Sequence, residues 1–211
     1  MSFCANDLLL YAVTDRAWVG RLTLLEQIEA ALKNGVTLLQ LREKRLPEEQ
    51  LVAEAIQVKE LCRRYQVPLI INDNVNAALK SGADGVHVGV DDLPVKEIRR
   101  RTGKGFIIGA TAKTVEQAKQ AEQAGADYLG VGAVFPSPTK KSAIRITVEQ
   151  LREICGSVSI PVAAIGGITE QNIVQLAGSG ADGFAVVSAV FGADDPGAAA
   201  GRLLKLAREL V

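Results

Sequence analysis

The chain has 211 residues, of which 24 are basic and 24 acidic. That length suits one domain, residues 1–211, and buries enough surface to fold without disulfides or structural metals. The balanced charge argues against a general nucleic-acid binder. The longest apolar stretches, Leu8–Val13, Ile160–Ile168 and Phe184–Phe191, fall well short of a membrane span, which needs roughly 18 residues. The first residues lack a basic start with an apolar core, so no targeting segment is expected. Cys4, Cys62 and Cys155 are too widely spaced for a zinc site and too few for a disulfide framework. They read as buried hydrophobes in a reducing compartment, which points to a cytoplasmic protein.

In chain order, Leu8–Val13 is the first strand candidate and Leu22–Lys33 the first helix, ended by Asn34-Gly35. Gly35–Leu39 opens a second strand, and Glu48–Tyr65 has a helical pattern. Pro68–Ile71, Gly82–Val86, Phe106–Gly109, Gly125–Leu129, Pro161–Ile165 and Gly180–Phe184 complete a set of eight strand candidates. Four of the eight open alike, at Gly35, Gly82, Gly125 and Gly180, where a glycine closes a helix before a buried strand. The runs are nearly all apolar rather than alternating, as in strands covered on both faces. Thr114 and Thr147 can cap helices, Val115–Ala124 being one. Asp194–Gly197 turns into a last helix, Gly197–Leu210. Eight strands alternating with eight helices, without a composition shift, predict an α/β fold, a compact (β/α)₈ TIM barrel, rather than a doubly wound sheet.

Barrel sites lie after the carboxyl ends of the strands. After the second strand, Gln40, Arg42 and Lys44 share one face and form an anion clamp. Asp73 and Asp92 follow neighbouring strands, as a carboxylate pair for one Mg²⁺ would. Asp92 can alternatively cap the helix that follows. Thr111 and Lys113 follow the fifth strand. The longest connection follows the sixth and carries Ser137, Thr139 and Lys140. Gly166-Gly167 and Val187-Ser188 follow the last two, where barrels often hold a phosphate. His87, the only histidine, lies inside a strand and reads as a hydrogen-bonded interior group, while Tyr11 and Trp18 read as packing. Two anion sites and no nucleophile–histidine set argue against acyl transfer.

At these residues the sequence resembles the thiamine-phosphate synthase family. The resemblance runs through Tyr11–Asp15, Gln40–Lys44, Ile71–Asp73, Gly85–Gly89 with Asp91-Asp92, Val131–Lys141, Ala164–Ile168 and Val186–Ala189. It implies a (β/α)₈ barrel that joins an aminopyrimidine diphosphate to a thiazole phosphate and releases diphosphate. On that resemblance Gln40, Leu41, Arg42, Glu43, Lys44 and Asn72 would hold the pyrimidine diphosphate. Asp73 and Asp92 would bind Mg²⁺, and Thr111 and Lys140 would touch the diphosphate. Ser137, Pro138, Thr139, Gly167, Val187 and Ser188 would hold the thiazole phosphate. The chemistry would be dissociative, with Arg42, Thr111 and Lys140 as the catalytic groups. The partners would be small molecules, with no nucleic acid or membrane, and a homo-oligomer would be compatible. The chain departs from the family pattern at Val90, Thr111, Lys113 and Ser137. A thiazole tautomerase, another phosphate-binding barrel, or a non-catalytic thiazole-phosphate-binding module are the alternatives.

Overall fold

The structure is a computed structural model that describes residues 3–137 and 144–211. Eight parallel strands close into a barrel in sequence order: β1 Leu10–Val13, β2 Leu38–Leu41, β3 Leu69–Asn72, β4 Gly85–Val88, β5 Ile107–Ala112, β6 Tyr128–Gly132, β7 Val162–Ile165 and β8 Gly183–Val186. Helices α1 Leu24–Lys33, α2 Glu48–Arg64, α3 Val75–Ser81, α4 Val95–Thr102, α5 Val115–Gln123 and α6 Val148–Cys155 each follow a strand. The β7 connection holds only a 3₁₀ turn, Ile173–Leu176, whereas β8 is followed by two helices, α7 Ser188–Phe191 and α8 Pro196–Leu210. No described helix is long and apolar enough to cross a membrane.

Local chemistry sets the helix ends. Thr23 and Glu26 form a capping box on α1, and Thr114 and Thr147 accept from Gln117 and Gln150 at the starts of α5 and α6. Asp195 caps α8, which starts at Pro196 with the proline in the first turn.

The pairing registers keep one inward parity around the barrel. Tyr11 faces Leu38, Gln40 faces Ile70, Asn72 faces His87, Gly109 faces Tyr128, and Ile165 faces Ala185. The residues between them, such as Leu39, Val86, Leu129 and Phe184, point outward and form the main core with the helices. The bore holds a separate cluster of Leu8, Tyr11, Val13, Leu38, Ile70, Tyr128, Ala163 and Ala185. Burial on both sides explains why the strands lack alternation in sequence.

The four repeated openings share a bonding pattern. Thr37, Asp84, Asp127 and Asp182 each donate their main-chain N–H to the carbonyl of Leu10, Leu69, Ile108 and Val162 respectively. Each side chain accepts the N–H of that same residue in return, at 2.9, 2.7, 2.7 and 2.8 Å. Each odd strand is thereby hooked to the following even strand at the amino end of the barrel. Asp84 also meets Lys59, and Asp127 meets Arg99, both at 2.6 Å.

The cysteines differ from the expectation of uniform burial. Cys62 is buried, Cys155 is half-buried, and Cys4 is exposed in the segment before β1. Burial pushes the Cys62 thiol up to about 12, so it stays a protonated apolar group at neutral pH.

Asp127→Ala removes an acceptor from the Ile108 N–H and the Arg99 guanidinium. It is expected to cost about 1–3 kcal/mol of unfolding free energy. Asp127→Asn keeps an acceptor for the N–H and should cost less. Urea midpoints at unchanged slope give the order, and a wild-type midpoint for Asp127→Ala would remove the hook as a source of stability.

Candidate functional site

The bore is closed at its amino end and opens at the carboxyl ends of the strands. A cavity of about 190 Å³ lies there, reached by Tyr11, Gln40, Arg42, Asn72, His87 and Thr111 on one side. Ser137, Gly166, Gly167, Val187 and Ser188 line the other side. The cavity exists because inward positions on that side are small. Gly130, Gly132 and Ala185 line it where larger side chains would fill the bore. A larger cleft of about 660 Å³ opens at the opposite end, between Phe3, Lys59, Lys104 and Asp127. Its Asp84 and Asp127 are the strand hooks, already paired with main chain and cations.

Arg42 is held by Asp15, with Nη1 3.2 Å from the Asp15 carboxylate, and its own N–H donates to Thr14. Asp15 in turn accepts from Ala17 N–H, so the guanidinium rests on an ordered turn. Lys44 does not reach the cavity wall. Its Nζ lies 2.5 Å from Asp73 Oδ2, on the rim. Leu41 points outward into the helix-side core, and Glu43 turns back to Arg16 at 3.0 Å. Neither side chain lines the cavity, so of the Gln40–Lys44 run only Gln40 and Arg42 do.

Asp73 and Asp92 are brought within hydrogen-bonding reach of each other. Asp73 sits in a left-handed conformation, φ +60°, directly after β3. Asp92 accepts from Gly89 N–H at 2.7 Å and does not cap α4, whose first turn follows Pro94. Burial would raise Asp73, but the hydrogen bond and charge of Lys44 outweigh it and hold the carboxyl below its usual range. Burial and the adjacent Asp73 carboxylate raise Asp92, against the Gly89 hydrogen bond. No group of three or more potential metal-ligating His, Cys, Asp or Glu side chains occurs among the described residues. The pair offers two hard oxygen donors and a like-charge repulsion that a dication relieves.

Gly166 and Gly167 both have positive φ, 104° and 65°. A Cβ on Gly167 would lie 2.2 Å from the Pro136 carbonyl oxygen, so only glycine lets the two loops touch. Asn172 secures this loop by donating to Gly167 O at 2.9 Å and accepting from Thr169 N–H. Pro138, Thr139 and Lys140 lie outside the described residues. The stems of that connection are paired, Val134 N–H to Ile165 O and Ile146 N–H to Ala133 O.

From the sequence Tyr11 reads as packing and Tyr128 carries no role, yet with His87 they build a polar floor, Tyr11 and His87 lining the cavity and Tyr128 buried beneath. Tyr11 Oη lies 2.8 Å from Tyr128 Oη, and His87 bridges Tyr128 and Thr111 at 3.1 Å on each ring nitrogen. His87 is the interior hydrogen-bonded histidine that its strand position suggested. The available signal was Gly109, on the neighbouring strand. A Cβ there would lie 2.1 Å from Tyr128 Cζ and 2.5 Å from His87 Nδ1. A glycine inside a strand marks such close approach.

The residues 10–190 match the family model described as thiamine monophosphate synthase. The chain belongs to the thiamine monophosphate synthase family. The thiamine-phosphate synthase of Caldanaerobacter subterraneus subsp. tengcongensis is 47% identical over 189 residues, covering 89% of this chain and 88% of that one. That of Desulfitobacterium hafniense strain Y51 is 47% identical over 205 residues, covering 97% and 99%. The solved thiamine phosphate pyrophosphorylase from Pyrococcus furiosus superposes with a TM-score of 0.91 at 39% identity, over 98% of each chain. A solved 3-hexulose-6-phosphate synthase, at TM-score 0.64 and 17% identity, shares the fold alone. Within the thiamine monophosphate synthase family, the rim and cavity above are the candidate active site.

Two tests follow from the floor. Gly109→Ala forces Tyr128 and His87 apart and should cost about 1–3 kcal/mol. Gly105→Ala, where a Cβ meets nothing within 4 Å, should be close to neutral in the same denaturation series. Burial also depresses His87 to about 4, against the pull of Asp73. Its neutral form therefore contributes stability above pH 6.5, which is lost as pH falls toward 4, about 3 kcal/mol in all. His87→Gln should flatten the difference between urea midpoints at pH 7 and pH 4.5. An unchanged difference would assign the acid loss to the carboxylates.

Proposed function

We propose that this family member joins an aminopyrimidine methyl diphosphate to a thiazole phosphate, releasing diphosphate and thiamine phosphate, and carbon dioxide as well where the thiazole carries a carboxylate. The observation that carries this reading is one rim holding Arg42, Lys113 and the Asp73–Asp92 pair beside a cavity with a glycine-lined far wall. The near wall suits a ring with a diphosphate tail, and the far wall suits a monophosphate. Pro138, Thr139 and Lys140 complete the proposed set only by sequence.

Asp73 and Asp92 would hold Mg²⁺, which, when bound, would neutralise charge on the diphosphate. Arg42, preset by Asp15, binds a diphosphate oxygen through parallel N–H groups. Thr111 donates its hydroxyl to another. Lys140 adds a point charge from the long connection. Together they stabilise the leaving group as the C–O bond breaks and its electron pair passes to diphosphate. The thiazole nitrogen then forms the new C–N bond with the pyrimidine methyl carbon. The reaction needs no strong base. His87 agrees with that, because both its nitrogens are bonded inside the floor and burial keeps it neutral. The same arrangement speaks against a tautomerase, which requires a proton carrier facing the substrate.

We read the chain as a single domain, residues 1–211, because every described strand belongs to the one barrel. Small-molecule substrates and a cytoplasmic location accord with this reading, and a homo-oligomer is compatible with it.

Purified protein supplied with both substrates should form thiamine phosphate only when Mg²⁺ is present. Asp92→Ala should lower turnover at least about a hundredfold while leaving the unfolding transition near that of wild type. Full activity in the variant would sink the metal assignment. Binding of thiazole phosphate without any product in the wild type would favour the binding-module alternative.

A further inference from the structure

Gln40 and Thr111 both line the cavity, and a buried chain of polar groups joins them. Gln40 donates through Nε2 to Tyr11 Oη. Tyr11 meets Tyr128 at 2.8 Å, Tyr128 meets His87 Nδ1 at 3.1 Å, and His87 Nε2 meets Thr111 Oγ1 at 3.1 Å. Tyr11 and Tyr128 are 1% and 0% exposed, so water cannot supply missing partners to the phenols.

Counting hydrogens leaves the chain two directions, and the first has Gln40 donating. Tyr11 accepts from Gln40, so its own proton goes to Tyr128 Oη. Tyr128 then donates to His87 Nδ1. The neutral imidazole carries its proton on Nε2 and donates it to Thr111 Oγ1. The proton of Thr111 is left for the cavity, and Gln40 offers Oε1 there. The opposite direction is the only other one that pairs every interior group. It turns the Gln40 amide around and spends the Thr111 proton inward. The two ends are therefore linked: a donor at Thr111 accompanies an acceptor at Gln40.

We infer that Tyr11, Tyr128 and His87 are positioning residues that couple the two ends of the cavity, so that an anion at Thr111 makes Gln40 an acceptor selective for an amino-substituted ring. An anionic oxygen only accepts hydrogen bonds, so it selects the direction in which Thr111 donates. Gln40 Oε1 then welcomes the N–H of a 4-amino pyrimidine. It faces a 4-oxo pyrimidine lone pair to lone pair, a mismatch a polar site rejects strongly. The selectivity rests on the synthase reading; the direction of the chain does not.

Because His87 is the only histidine, its tautomer can be read in the ¹⁵N-labelled protein without assignment ambiguity. Wild type in inorganic pyrophosphate should show protonated Nε2 and an accepting Nδ1. A protonated Nδ1 would overturn the inferred direction. The second readout is the ratio of kcat/KM for the 4-amino over the 4-oxo pyrimidine diphosphate. Tyr128→Phe cuts the chain at its centre and lets the Gln40 amide turn, so the ratio should fall about tenfold or more. Tyr11→Phe should do the same and serves if Tyr128→Phe does not fold. Loss of stability alone lowers both rates together and leaves the ratio unmoved. An unchanged ratio in a folded variant would therefore overturn the coupling. A wild type that makes no product from either pyrimidine would sink the synthase reading, and the tautomer alone would then decide the chain.

Discussion

A closed parallel barrel leaves each strand residue two destinations, the helices or the bore. Pairing registers that keep one parity around eight strands make that assignment at every position at once. The outward set can be uniformly aliphatic, since it meets only helices. The inward set must fill a narrow bore at one end and leave room for chemistry at the other. Leu38, Ile70, Tyr11 and Tyr128 do the filling. Gly130, Gly132 and Ala185 leave the room. The cavity is thus a consequence of side-chain size at fixed parity, and its walls are as rigid as the strands that carry them.

The same constraint explains the polar floor. A tyrosine brings large apolar area into the bore together with one hydroxyl that requires a partner. Two such hydroxyls at contact distance satisfy each other only in part, because each phenol also has spare capacity to donate or accept. His87 and Gln40 take up that capacity. Once the phenols are inside, a chain of bonds ending at the cavity follows from the need to leave no buried group unpaired. Burial keeps Tyr11, Tyr128 and His87 in their neutral forms, with the phenols raised and the imidazole lowered. The floor is therefore a set of oriented dipoles under a rim of charges.

Much of this was legible in the chain, where signals are local. The glycine-led openings and the apolar runs between them marked the eight strands, and Thr114, Thr147 and Asp195 cap the helices that follow them. Arg42, Asp73 and Asp92 follow strand ends, and Asn72 and Thr111 lie among the last residues of theirs, β5 running on past the expected Gly109 to Ala112, so the architecture alone points to this rim. The third residue of each opening was visible as Thr37, Asp84, Asp127 and Asp182, but its reciprocal bond to the preceding strand was not. The polar floor was the least legible part. Its partners lie 29, 117, 41 and 24 residues apart, and no local pattern connects such positions. The extent of α2 was legible in its helical pattern, whereas the single 3₁₀ turn after β7, in place of a helix, departs from the regular alternation. At Leu41 and Glu43 a contiguous motif suggests joint action, but their side chains point away from the cavity that Gln40 and Arg42 line.

The division between rim and floor has an electrostatic logic. Lys44 is half exposed and Arg42 partly so, and charges facing water act weakly and are screened by salt. Such groups would attract an anion but discriminate poorly between rings with similar tails. The floor is dry, so a misplaced donor or acceptor there goes unpaired at full cost. Affinity for the diphosphate and choice of ring can therefore be carried by different parts of one cavity. Thr111 is where the two parts meet, since it lines the cavity and its oxygen is tied to His87. A methyl-bearing residue at that junction keeps the hydroxyl while restricting its rotation, since a β-branched side chain has few χ1 options.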